Sequence, residues 1–441
     1  MNAPKKNEPP VWFRPRGYPH FDRRLSPERA SELVTDPRRI ARHPFLPFLT
    51  FEIAQPRYKP KLKQVVIKKR PIAVASHADA HIFAYYAFRL TEPYERMVQE
   101  KRIGDAVLAY RRFSPPKSNI HFAGDAFTAI ERMGECHAVA LDIESFFDTI
   151  SHVELKRLWS SLLGATSLPD DHYAVFRAVT RFARVEREQA FEAFGIGLRR
   201  RESWRGPLCT PEQFRRCIRG AGLITANSTG RGIPQGSPIS ALLSNIYMLE
   251  LDQCLQRLAE QCHGVYRRYS DDVLLIGSST AVARMETALK AEVERLGLEI
   301  NDAKTARSEF KRGSDVVLRA DRPLQYLGFT FDGERVLVRS QTIAKYIRRM
   351  KAGVRSARRA AIRASRRGGS RRLRREELFA RFSHLGPTEA MLQSPQAQAL
   401  RNNFWSYSKR AARIMDDDAI RRQLRKHWPR LVAEIQVADA Q

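Results

Sequence analysis

This chain is short of negative charge. Its 48 Asp plus Glu stand against 77 Lys plus Arg, a formal charge of +29 with a pI near 10.4. An excess of that size calls for a polyanionic partner, nucleic acid first. Cysteine is scarce as well. The five present, Cys136, Cys209, Cys217, Cys254 and Cys262, are odd in number and show no C-x-x-C spacing, which argues against a disulfide framework or a zinc site and for reduced thiols in a cytoplasm. No apolar run reaches transmembrane length and no signal peptide is recognisable, so no membrane association is expected. Internal repeats are absent too. What is there is 43% hydrophobic content over 441 residues, enough for two or three domains with sizeable cores.

Two carboxylates stand side by side in Tyr269-Ser270-Asp271-Asp272, between the β-prone runs Val265-Tyr266-Arg267-Arg268 and Val273-Leu274-Leu275-Ile276. Two such runs around a short polar stretch predict a hairpin with both carboxylates at its turn. Asp is an ordinary turn residue, so the pair alone means little. A third carboxylate changes its weight. Val139, Leu141 and Ile143 share one face of a predicted strand, so Asp142 projects from the other. Like charges brought together repel unless a cation neutralises them. Hard divalent cations prefer oxygen ligands, and carboxylates from two strands can clamp two ions about 3.5–4 Å apart for in-line displacement at phosphorus.

The two stretches resemble the catalytic motifs of reverse transcriptases, and other motifs follow in that family's order from about residue 60 to about residue 335. The most specific is Gly232-Ile233-Pro234-Gln235-Gly236-Ser237-Pro238-Ile239-Ser240, a loop of two glycines and two prolines before an apolar helix expected over 241–251. Glycine there lets backbone approach a ligand closely. The resemblance implies that Gln235 and Gly236 pack beneath the incoming nucleotide and its templating base. Upstream, Val65-Val66-Ile67 and Lys68-Lys69-Arg70-Pro71-Ile72-Ala73-Val74-Ala75 read as two β-like runs around a basic knot, before a helix over 77–97. By resemblance Arg70, with Lys68 beside it, meets the triphosphate, and a guanidinium suits that because it forks onto phosphate oxygens. Val107 to Arg112 reads as a short strand whose Ala109-Tyr110-Arg111 resembles the fingers of abortive-infection and defence-associated bacterial enzymes, with Tyr110 and Arg111 toward template.

Downstream, Leu298 to Thr305 matches motif D, where Lys304 would protonate the pyrophosphate leaving group. Leu324 to Phe331 reads as one strand bent at glycine and resembles the primer grip, with Tyr326, Leu327 and Gly328 at the primer end and Tyr269 of the hairpin beside them. The family implies that Asp142, Asp271 and Asp272, with the backbone carbonyl of Ile143, hold two Mg2+ ions, for which Mn2+ is a possible substitute. Phe147, five residues after Asp142, would set a ring against the sugar 2′ position and select deoxynucleotides. The expected fold is α+β, a right hand with fingers, a palm built on an antiparallel sheet, and a helical thumb.

The expected domains are an N-terminal extension over 1–60, fingers over 61–135, a palm over 136–335 with a basic insertion at about 170–231, and a basic helical thumb over 336–441. Residues 341–380 carry fourteen Lys plus Arg against Glu376 and Glu377. That density exceeds an ordinary solvated face and suits a phosphate backbone. Aromatics among arginines near Trp12 and Phe13 suit either packing or base stacking. The expected function is RNA-directed DNA synthesis from dNTPs on an RNA template, with a structured noncoding RNA as the expected partner, in bacterial antiphage defence. A group II intron-type maturase and a template-independent polymerase of the abortive-infection type stand as alternatives.

Overall fold

The computed structural model describes residues 8–59, 64–197, 204, 206–368, 373–387, 391 and 403–440. The chain opens with Trp12 and Phe13 folded onto the first long helix, where Phe13 stacks on His81 at 4.7 Å and Trp12 meets Tyr85 edge-on. These rings are packing, not an open stacking platform. Two short helices follow, α1 (Pro27–Val34) and α2 (Pro37–Ala41), each with proline in its first turn and a capping oxygen from Ser26 or Asp36.

The fingers rest on two long antiparallel strands, β1 (Phe48–Lys59) and β2 (Gln64–Val74). β2 is one continuous strand where two runs were expected, and β1 carries the fingers back into the supposed N-terminal extension. After it come α3 (His77–Glu100) and α4 (Asn119–Met133). Between these helices residues 107–112 form a loop, touching strand only at the Val107–Arg268 bridge.

The palm is a five-stranded antiparallel sheet in the order Val265–Tyr269, Asp272–Gly277, Cys136–Asp142, Ala306–Arg312, Leu318–Ala320. β3 (Cys136–Asp142) lies at its centre. Its next neighbours in sequence are helical: α5 (Phe146–Thr149), α6 (His152–Leu162) and α7 (Asp170–Thr180). The chain then leaves the palm. β4 (Ala183–Glu186) pairs in parallel with Phe48–Thr50 of β1, and β5 (Thr225–Ala226) pairs with β4. The segment expected as a palm insertion therefore finishes the fingers sheet, with α8 (Arg187–Ala193) and α9 (Pro211–Phe214) over a small core of Phe21, Leu49, Val185, Phe191, Phe214 and Ile218. Arg199 to Arg201 and Arg205 lie outside the described residues.

Returning to the palm, the expected apolar helix is two, α10 (Ser240–Tyr247) and α11 (Leu249–Gln261), joined at Met248. β6 (Val265–Tyr269) and β7 (Asp272–Gly277) then form the anticipated hairpin. α12 (Ser279–Arg295) ends just before Gly297, whose φ of +67° suits a glycine stop. β8 (Ala306–Arg312) and β9 (Leu318–Ala320) complete the sheet. Period-2 alternation splits its two faces. Val139, Leu141, Val273 and Leu275 enter the large helical core, while Ala138, Leu274 and Ile276 join a second core with α4 and the following strands.

Those strands are β10 (Leu324–Tyr326), β11 (Phe329–Phe331) and β12 (Val336–Val338), a separate three-stranded sheet. The single bent strand expected over 324–331 is thus a tight hairpin, turned at Leu327 and Gly328 with φ of +44° and +95°. The thumb begins with α13 (Ser340–Ser365), whose buried stripe is Tyr346, Met350, Val354 and Ala361. α14 (Arg375–Phe382), α15 (Phe404–Ile414), α16 (Asp418–Leu424) and α17 (His427–Ala440) follow. Gly369, Ser370, Arg371 and Arg372 lie outside the described residues. Among the described residues no helix is long and apolar enough to cross a membrane.

Candidate active site

Asp142 is the last residue of β3 and Asp272 the first of β7, and the two are direct partners in the antiparallel register. Asp271 precedes Asp272 in the turn, and its carbonyl accepts the Ile143 N–H at 3.0 Å. The sheet therefore gathers at one edge three carboxylates that the sequence keeps far apart. Burial, then the charges of Asp271 and Asp142, push the Asp272 carboxyl up to about 7. Two cations lower it again, Lys304 and Arg339. Lys304, on a 3-10 turn over Asp302–Lys304, makes an ion pair with Asp142. That turn is fixed by the Asn301 N–H, which donates to the Asp142 carbonyl at 2.8 Å.

Among the described residues no three His, Cys, Asp or Glu side chains already stand at metal-holding distance. The donor chemistry nonetheless fits hard divalent cations: three oxygen-bearing side chains, mutually repelling, with Asp142 bound to an ammonium. The negative charge crowded at this edge is what two divalent ions would neutralise.

The glycine and proline loop lies between this edge and the fingers. Ile233 N–H donates to the Phe147 carbonyl at 2.8 Å, and Ala73 N–H of β2 donates to the Gln235 carbonyl at 2.8 Å. Gly236 has φ of +113°, and a Cβ on it would meet the Ala73 carbonyl oxygen at 2.7 Å. Only glycine tolerates both. Gln235 and Phe147 are half-buried beside each other's loops, and the Phe147 ring leans on Phe146 at 5.6 Å. Arg70 and Lys68 are exposed on β2, and Lys69 pairs with Glu52 at 2.7 Å.

A cleft of about 330 Å³ opens beside Asp272 and is lined by Asn119, Tyr269, Tyr326, Leu327, Gly328 and Arg339. The sequence-derived primer residues thus converge with the carboxylates. Asn119 Nδ2 donates to the Leu327 carbonyl at 3.0 Å and to the Tyr407 hydroxyl at 2.9 Å, which ties the hairpin to α4 and the thumb. Tyr110 has φ of +63° and shares a hydrogen bond with the Ser270 hydroxyl at 3.2 Å. Arg111 stands apart from this group. Its guanidinium is occupied by Glu95 and by the carbonyls of Gly104 and Val107, and its side chain is 9% exposed. It braces the loop.

A model of the reverse transcriptase (RNA-dependent DNA polymerase) family matches residues 63–331. The chain belongs to the reverse transcriptase family. Its right-hand fold is that of the family, with the carboxylate edge in the palm between fingers and thumb. Among solved structures, an apo telomerase from Candida tropicalis truncated from its C-terminal domain is 9% identical with a TM-score of 0.42, over 71% of this chain and 61% of that one. A telomerase from Candida albicans in complex with a TWJ fragment of telomeric RNA is 12% identical with a TM-score of 0.41, over 92% of this chain and 58% of that one. This reverse transcriptase chain thus spans about three fifths of those telomerase chains.

Asn119, Arg339 and the buried Arg268 escaped the sequence reading. Arg268 shares its face of β6 with the buried Tyr266, and nothing in the sequence marks it off from Arg267.

Proposed function

We propose that the protein is an RNA-directed DNA polymerase that adds deoxynucleotides to a primer end with the help of two divalent cations. The observation that carries this is the register pairing of Asp142 with Asp272, with Asp271 fastened to Ile143. Asp142, Asp271, Asp272 and the Ile143 carbonyl would hold the cations, Mg2+ first and Mn2+ as substitute. Bound there, such ions lower the pKa of a primer 3′-hydroxyl and neutralise triphosphate charge.

The remaining work falls to the chain itself. Arg70 and Lys68 approach the triphosphate from β2. Gln235 and Gly236 support the nascent base pair from below, and Phe147 excludes a 2′-hydroxyl. Tyr326, Leu327 and Gly328 seat the primer end, and Tyr269 and Tyr110 flank it. Lys304, once released from Asp142, gives a proton to the departing pyrophosphate.

The template is an RNA, and we take it to be a structured noncoding RNA used in bacterial antiphage defence in the cytoplasm. The Ala109-Tyr110-Arg111 element and the basic thumb support this. Incubating purified protein and its co-purifying RNA with dNTPs and Mg2+, then sequencing RNA and product, tests both levels. A discrete RNA copied into DNA is the expected result. Product unrelated to any RNA supports untemplated synthesis, and absence of any product refutes the polymerase. The arginines of α13 equally suit a maturase, for which splicing support would survive loss of Asp271 and Asp272.

A further inference from the structure

Arg268 is a fully buried arginine directly behind the catalytic turn. Its side chain is 0% exposed, as is that of its partner Asp252 on α11. The pair is bidentate: Nε donates to Oδ1 at 2.7 Å and Nη2 to Oδ2 at 2.6 Å. The Tyr266 hydroxyl also donates to Asp252 Oδ1, at 2.6 Å. A buried pair replaced by apolar groups often leaves stability unchanged, so stability alone does not explain this one.

The third nitrogen explains it better. Nη1 donates to the Ser270 carbonyl at 3.1 Å and to Asn245 Oδ1 at 3.2 Å. Ser270 has φ of +61°, a left-handed conformation that a side-chain-bearing residue keeps only when its surroundings impose it. Its carbonyl faces inward onto the guanidinium. The next carbonyl, that of Asp271, is taken by the Ile143 N–H at 3.0 Å. Both peptide planes bounding Asp271 are therefore pinned, one by Arg268 and one by Ile143, the residue after β3. The same arginine's backbone is held by the 106–108 loop, through Arg268 N–H to Ala106 and Leu108 N–H to Arg268, at 2.7 and 2.9 Å. Asn245 Nδ2 adds a bond to the Ala109 carbonyl at 2.9 Å, one residue before Tyr110.

We propose that Arg268 is the positioning residue for Asp271: through the Ser270 carbonyl it holds the catalytic turn in its left-handed form and aims the carboxylate at the divalent-cation site. The inference rests on the reading of Asp271 as a cation-holding group. Lysine at 268 would keep the charge opposite Asp252 but lacks the fork that reaches Asp252, Asn245 and Ser270 together.

Two variants of the full chain test it, Arg268→Lys and the double variant Arg268→Met with Asp252→Leu, which removes the buried charges together. Three measurements are made: thermal melting, Mn2+ affinity by electron paramagnetic resonance without nucleotide, and single-turnover incorporation over a Mg2+ titration. Both variants are expected to melt cooperatively, to bind Mn2+ about 10-fold more weakly, and to incorporate on the order of 100-fold more slowly. The Mg2+ midpoint should move up while the template affinity stays. Wild-type Mn2+ affinity in either folded variant overturns the inference. So does a loss of Mn2+ affinity that appears only with loss of the melting transition. A wild-type chain that incorporates nothing while its Mn2+ affinity still depends on Arg268 removes the polymerase reading and leaves the positioning one standing.

Discussion

Lys304 makes an ion pair with Asp142, so an ammonium sits on a carboxylate that a divalent cation would need. One lysine is thereby given two places to be. Arg, Gln or Met at 304 would each fill space, but only an ammonium both neutralises Asp142 and has a proton to give. Lys304→Ala should lower single-turnover incorporation by on the order of 100-fold. The same variant, without nucleotide, should bind Mn2+ more tightly than wild type, because no ammonium competes.

Removing carboxylates should separate chemistry from binding. Asp271→Ala with Asp272→Ala is expected to abolish incorporation while RNA affinity, set by the arginines, stays nearly unchanged in a filter-binding assay. Survival of the biological activity in that variant would favour the maturase reading, in which RNA binding is the function.

Asp272 also predicts a pH dependence. Burial and its acidic neighbours push its carboxyl up to about 7, whereas a free Asp titrates near ~4. As pH rises the unfolded chain loses that proton first, so in chelator the native state weakens between about pH 4 and about pH 7 and stays weaker above. Asp272→Asn should remove this decline. Its melting temperature in chelator should exceed wild type at about pH 8 and match it near pH 4.

Phe147→Ala should admit ribonucleotides. The ring is half-buried against Phe146 and stands where its backbone holds Ile233 of the glycine and proline loop. Loss of one steric barrier is expected to narrow sugar discrimination by about 10- to 100-fold, measured as the ratio of kcat/KM for dGTP and GTP on one template. Unchanged discrimination would assign the ring to packing alone.

Gly236→Ala forces a Cβ against the Ala73 carbonyl, at a φ of +113°. The loop must shift away from β2, at a conformational penalty of about 1–3 kcal/mol. The expected outcome is a raised nucleotide KM with a folded palm, read by incorporation kinetics alongside thermal melting.

The thumb should make template binding depend on salt. Arg348, Arg355 and Arg359 are exposed on α13, opposite the stripe buried at Tyr346, Met350 and Val354. Changing all three to Gln should reduce the slope of log affinity against log salt by about 2–3, with incorporation at saturating template little altered.

Much of this site was legible from one dimension. Asp142 could be aimed because successive side chains of a strand take opposite faces, and the hairpin could be drawn because its turn is polar and its arms are β-prone. The loop at 232–240 was legible because glycine and proline limit backbone choices. What stayed hidden depended on partners remote in sequence. β4 and β5 are four and two residues long, β4 placed by β1 and β5 by β4, so no local periodicity announces them. Arg111 looked like a template contact until Glu95 took its guanidinium. Arg268 looked like any basic strand residue until Asp252, on a helix of otherwise ordinary amphipathic pattern, was found against it.

The fingers sheet is lopsided. β4 covers β1 only at Phe48–Thr50, so among the described residues β1 and β2 have no further strand neighbour from Phe51 outward. A free-standing pair of strands is marginal in water, whereas its base is clamped by β4 and by the bond from Ala73 to Gln235. The outer ribbon, with Lys68 and Arg70 along it, is consequently a lever with a rigid fulcrum. On the proposed reading, a triphosphate gripped near its middle would bend the lever without disturbing the 232–240 loop, and closure around a substrate and the seating of its base would then be tuned by separate residues.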